Sequence, residues 1–111
     1  MEKADRENPC LIHCITNPIS INQTANAVLA LGAKPIMAEH PLEVEEITKT
    51  ASALLLNIGN ISDVRMASMK ISLKVANSKN IPVVLDAVGC ACSALRKNFV
   101  SELFSEGKFA V

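Results

Sequence analysis

Three polar clusters in this sequence carry side chains capable of chemistry. They are His13 to Asn22, Asn57-Ile58-Gly59-Asn60, and Asp86 to Ser93, and each follows a short apolar run. The third has the most specific chemistry. A carboxylate at the end of an apolar run can hold a Mg²⁺ that bridges phosphate oxygens. The loop after it contains Gly89 and leads into a helix, whose first backbone N–H groups favour anions. Asn17, Asn22, Asn26 and Asn57 can serve as ligand contacts or simply as cap and turn residues. His40, before Pro41, is expected to be solvated or to cap a helix. Taken alone, these features specify a ligand-binding α/β domain, and many functions share that architecture.

The four cysteines raise the question of a metal centre. Cys10 and Cys14 flank His13, and Cys90 and Cys92 share a loop. Structural zinc sites need matched pairs at close spacing. Strand residues four apart stand about 13 Å apart, too far to bind one ion. Cys10 and Cys14 are therefore read as buried small residues. Cys90 and Cys92 are read as small loop residues, with a redox role as the alternative.

The clusters must be positioned by the elements between them. Cys10 to Ile15 reads as a buried strand broken at Asn17-Pro18. Ser20 to Leu31 reads as a helix with Ser20 as N-cap and Gly32 as its stop. Pro35 to Ala38 is a second strand. Pro41 opens a helix reaching about Ser52, with Glu43, Glu45 and Glu46 near its positive end. Ala53 to Ile58 is a third strand. Ser62 or Asp63 caps the next helix, whose Met66, Met69, Leu73 and Ala76 recur at helical spacing as a core stripe. Asn77 to Asn80 make a polar stop. Ile81 to Leu85 is a fourth strand ending at Asp86, then a loop to Ser93 leads to a helix ending near Gly107. Phe109-Ala110-Val111 resembles the start of a fifth strand. Strand–helix alternation with near-continuous apolar strands implies a parallel sheet with helices on both faces. In such sheets ligands sit beyond the carboxyl ends of the strands, where all three clusters fall.

Composition excludes several classes. The 111 residues have zero formal net charge and half are hydrophobic, which argues against both a nucleic-acid binder and a disordered chain. Three Phe with no Trp or Tyr give little material for base stacking. No apolar run approaches the roughly 18 residues of a membrane span, and the polar N-terminus lacks a signal-like stretch. A cytoplasmic location with reduced thiols is expected.

Six segments in order are similar to the hydroxyethylthiazole kinase family. His13-Cys14-Ile15-Thr16-Asn17 resembles its H-x-I-T-N opening. Asn22 to Asn26 with Leu29 to Ala33 resembles N-x-T-A-N…L-A-L-G-A, and Pro35 to Ala38 resembles P-x-M-A. Leu54 to Gly59 resembles L-x-L-N-I-G. Ile81 to Asp86, followed by Val88-Gly89, resembles V-P-V-V-L-D-P-V-G-A-G-A-T. Any one segment is weak, but together they span about residues 10 to 96. The resemblance implies a ribokinase-like α/β fold that assembles as a homotrimer. It implies phosphorylation of the primary alcohol of 4-methyl-5-(2-hydroxyethyl)thiazole, using ATP and Mg²⁺, in thiamine biosynthesis. It places the thiazole at a subunit interface, with Met37 against the ring, where a polarisable thioether suits a heteroaromatic, and with Asn17 and Ile19 lining the pocket. It places Asp86 at the Mg²⁺–phosphate region, with Gly89 and Asn57 on the nucleotide side.

Within the motifs the sequence departs from the family in the Asp86 loop, where Ala87 replaces the family's Pro, Ala91 its second Gly, and Cys90 and Cys92 small residues; the larger departure is length. Ala91 adopts positive φ less readily than Gly. Members of the family continue well past this length. Residues 1–111 are accordingly expected to form an incomplete ribokinase-like domain, with residues 1–9 poorly ordered. On this expectation the loop that stabilises the transferred phosphoryl group, the residue that activates the alcohol, and most ATP contacts lie elsewhere. No catalytic residue is assigned within the 111, which are expected to be inactive alone and to expose apolar surface. The alternatives are a ribokinase-like kinase of another small alcohol, or a non-catalytic small-molecule-binding or trimerising module.

Overall fold

The computed structural model describes residues 10–16, 21–30, 32–59, 61–87 and 92–110, with side chains left aside at 21–23. Expectations placed on residues 1–9, Asn17, Ile19, Ser20, Gly89 and Cys90 lie outside this set. Among the described residues eight elements alternate strictly: β1 (Leu11–Ile15), α1 (Ile21–Ala30), β2 (Lys34–Met37), α2 (Val44–Thr50), β3 (Ala53–Asn57), α3 (Asp63–Ser78), β4 (Val83–Asp86) and α4 (Ala94–Glu106).

All strand pairs are parallel, in the order β2-β1-β3-β4. The chain moves from β1 outward to β2, then reverses past β1 to β3 and on to β4. Right-handed crossovers then place α1 on one face of the sheet and α2 and α3 on the other. The core lies on the second face, where Ile15, Leu54, Leu56 and Val83 meet Val44 of α2, Met69, Leu73 and Ala76 of α3, and Phe99, Val100 and Leu103 of α4. The expected Met69-Leu73-Ala76 stripe is buried, and Met66 packs against its margin.

Local chemistry explains the boundaries. Gly32 takes the left-handed φ of 83° after α1, which releases its N–H to Leu29 O and that of Ala33 to Val28 O. Ser62 caps α3 by accepting from Arg65 N–H at 3.1 Å, and Ser93 caps α4 through Arg96 N–H. Such caps contribute about 1 kcal/mol each. Asn80, with φ 58°, ends α3 as the Ile81 N–H reaches back to Ala76 O.

Two expectations are corrected. The helix expected from Pro41 begins only at Val44, because His40 closes a turn first: its ring accepts from Leu42 N–H at 3.1 Å and its carbonyl accepts from Glu43 and Val44. Phe109 and Ala110 are not a strand among the described residues. A single bond, Ala110 N–H to Val83 O at 2.7 Å, ties that segment to β4. No helix of the described residues is long and apolar enough to cross a membrane.

Candidate functional site

The reversal of strand order lies between β1 and β3, and open α/β sheets take their ligands in the crevice beyond the carboxyl ends at such a point. Asn57 pairs with Asp86, and Ile15 pairs with Leu56. Thr16, one residue beyond Ile15, therefore stands level with Asn57. Three polar side chains thus line up across three neighbouring strands as Thr16, Asn57 and Asp86.

Asn57 organises this edge. Its Oδ1 accepts the Gly59 N–H at 2.8 Å, turning the chain away from the sheet. Its Nδ2 faces Asp86 Oδ2 at 3.5 Å, the long limit of a hydrogen bond. Asp86 itself is exposed. One accessible carboxylate suits Mg²⁺, which is commonly bound by one or two carboxylates plus substrate phosphates. No group of three or more His, Cys, Asp or Glu gathers among the described residues. The Thr16 hydroxyl is buried without a hydrogen-bond partner among the described residues.

Met37 ends β2, opposite Cys14 of β1, and is half-buried. It is not beside Asp86. Among the described residues the two strands are the opposite edges of the sheet, three strand spacings apart, or about 14 Å.

A buried polar layer lies beneath the Met37 end, and sequence reasoning missed it. His13, grouped above with the ligand cluster, is inside β1 and fully buried. Its Nε2 lies 2.9 Å from the carbonyl of Ala38 and its Nδ1 2.8 Å from Thr48 Oγ1. Thr48 Oγ1 in turn lies 2.8 Å from Ser72 Oγ. A carbonyl only accepts, so Nε2 carries the proton. Burial lowers the imidazole pKa, against smaller opposing effects from the Ala38 bond and the charge of Glu43. The ring is therefore neutral near pH 7. Ser68 donates to the carbonyl of Glu39. The buried Arg65 places its guanidinium 3.9 Å from the Glu39 carboxylate, while its Nε has no partner among the described residues. Ser68, Ser72 and Arg65 recur at three- and four-residue spacing on α3. That periodicity, together with a lone His in an apolar strand, was the available signal.

Cys14 is buried, and loss of solvation pushes its thiol pKa up to about 11. Cys10 is only half-buried and Cys92 is exposed.

Known proteins resemble this chain in sequence and in backbone. The sequence profile of the hydroxyethylthiazole kinase family matches residues 1–111. Over 96 residues the chain is 58% identical to hydroxyethylthiazole kinase 1 of Clostridium botulinum (strain Loch Maree / Type A3), covering 86% of this chain and 36% of that protein. It is 50% identical over 93 residues to the hydroxyethylthiazole kinase of Finegoldia magna, covering 84% and 35%. The chain thus spans little more than a third of the length of these relatives. The structure of a hydroxyethylthiazole kinase protein from Pyrococcus horikoshii OT3 superposes with a TM-score of 0.87 at 41% identity, covering 95% of this chain and 41% of that one. A profile match over the entire length, with high identity and the same backbone, makes the chain a member of the hydroxyethylthiazole kinase family.

Proposed function

We propose that this chain contributes the thiazole-facing wall and one edge of the metal–phosphate site to a kinase acting on the primary alcohol of 4-methyl-5-(2-hydroxyethyl)thiazole. The observation that carries the proposal is the placement of Met37 and Asp86 at the carboxyl ends of one parallel sheet in a chain of this family. Asn17 and Ile19 complete the thiazole wall in this reading, and Asn57 and Gly89 face the nucleotide. ATP is the phosphoryl donor, with Mg²⁺ neutralising its phosphates when bound. Asp86 is the residue that would hold the cation, and Asn57 keeps that carboxylate oriented.

The separation of Met37 from Asp86 supports a homotrimer with shared sites. A thiazole alcohol is shorter than the roughly 14 Å between the two strand ends. An alcohol resting on Met37 therefore needs its phosphoryl donor from another surface, and the neighbouring subunit of a trimer supplies one. In-line transfer rests on positioning and charge stabilisation. The groups for this are proposed to lie in the part of the family's length that these 111 residues do not span, within one ribokinase-like domain. The setting is proposed to be the cytoplasm, without nucleic acid or membrane as partners.

Met37 provides the test. With ¹³C-methyl-labelled methionine, titration with the thiazole alcohol should shift the Met37 methyl and leave those of Met66 and Met69 in place. Mass spectrometry of the same sample with Mg-ATP should show no phosphorylated product. A silent Met37 methyl at saturating thiazole alcohol removes the proposed substrate wall. Turnover by the 111 residues alone removes the proposed division of labour.

A further inference from the structure

The residues just past Met37 are gripped from below. The Ala38 carbonyl takes the His13 Nε2–H, and the Glu39 carbonyl takes the Ser68 hydroxyl. Both donors are fully buried. His13 is itself fixed from its other side by Thr48, which contacts Ser72. The residues come from three elements, β1, α2 and α3, and converge on the end of β2, an edge strand among the described residues. An edge strand has one ladder partner, so its end frays unless something holds it. His13 pairs with Ile36 in register, so its ring lies on the face opposite the Met37 side chain. It reaches Met37 only through the backbone.

We propose that His13 is a positioning residue for the thiazole wall: by clamping the Ala38 carbonyl to Thr48 and Ser72, it fixes where the backbone presents Met37. This rests on the proposed function, and it goes beyond that proposal by assigning a role to a residue that touches no ligand. An apolar side chain of similar size fills the space but leaves the Ala38 carbonyl without its donor, and leaves the Thr48 hydroxyl with Ser72 but without the ring. Glutamine retains a donor and an acceptor at the end of a flexible chain and can bridge the same two groups.

The experiment compares the unaltered chain with His13→Leu, His13→Gln and Thr48→Val. Two quantities are read: the affinity for the thiazole alcohol from the Met37 methyl titration, and hydrogen exchange of the peptide covering residues 37–40. His13→Leu is expected to weaken binding about tenfold, the scale of one lost buried hydrogen bond. Exchange should quicken at residues 37–40 and not in β3. His13→Gln is expected to restore both. Thr48→Val keeps the ring but removes its anchor, so it should show a smaller loss in the same two readouts, and it decides the matter if the leucine variant does not fold. Faster exchange with unchanged affinity overturns the proposal, as does a well-folded glutamine variant that binds no better than the leucine one. If the unaltered chain gives no Met37 response, the thiazole wall itself fails and this role with it. The exchange data then show whether the clamp on β2 nevertheless exists.

Discussion

Asn57 and Asp86 stand side by side on β3 and β4, with the Asn57 amide 3.5 Å from the Asp86 carboxylate. The pair joins the strand ends without burying the charge, since Asp86 is exposed. Asp86→Asn should therefore leave folding within about 0.5 kcal/mol of the original, as surface changes usually do. In an active kinase assembled around this piece, the same change should lower Mg-ATP-dependent phosphorylation on the order of a hundredfold, the loss typical of removing one charge-stabilising group. Thermal melting and a coupled ATP assay check the two halves, and a melting shift with unaltered turnover would put Asp86 outside the metal site.

The neutral, buried His13 makes stability depend on pH in a defined direction. Its pKa is lowered in the folded chain from an ordinary 6.5, chiefly by burial. Below pH 6.5 the unfolded chain takes up a proton that the folded chain refuses. Stability from this group is thus complete above pH 6.5 and declines as the pH falls toward the folded pKa. One proton limits the slope to about 1.4 kcal/mol per pH unit. Denaturant melts at pH 7.5 and 5.5 should show a larger loss for the original chain than for His13→Gln. Equal losses would mean that the imidazole does not titrate as its burial requires.

The strands and their order of appearance were legible because parallel strands covered by helices read as apolar runs, even where one face stays partly open, as at Val84. Ser62, Gly32 and the polar stop at Asn77 to Asn80 were legible because capping depends on residue type and local geometry. The buried polar layer was not legible, because it is defined by tertiary partners. Ser68, Ser72 and Arg65 look like the solvated face of an amphipathic helix until Glu39 and Thr48 are placed beside them. The start of α2 was misplaced for a related reason: whether Pro41 opens a helix or a turn depends on the ring of His40. For the proposed site, resemblance to a family pattern pointed to Met37 and Asp86, but only the strand order β2-β1-β3-β4 shows that they lie on opposite edges of the sheet formed by the described residues.

Thiol chemistry should divide the cysteines by their surroundings. Nucleophilic attack needs the thiolate. The Cys14 thiol is buried and its pKa is pushed up to about 11, whereas Cys92 is exposed. Iodoacetamide at pH 7.5, followed by peptide mapping, should alkylate Cys92 within the time that Cys14 stays untouched. Cys14 should react only once denaturant opens the sheet. Labelling of Cys14 at the rate of Cys92 in native buffer would contradict the packing of β1.

Gly107 supplies a steric test of how α4 closes on α3. A methyl group there would lie 2.5 Å from Asn77 Oδ1 and 2.7 Å from Leu73 Cγ. Neither neighbour can easily give way. Asn77 is held twice by the Lys108 backbone, accepting its N–H at 2.7 Å and donating to its carbonyl at 3.0 Å, and Leu73 is buried in the core. The backbone of Gly107 is extended, with φ −159°, so the penalty comes from crowding and not from conformation. Gly107→Ala should destabilise the fold by about 1–3 kcal/mol, the usual range for overpacking. Trimming the crowded partner as well, in Gly107→Ala with Leu73→Val, should cost less than the sum of the single changes, because the two act on the same space. Additive losses in urea melts would show that α4 does not end against Leu73.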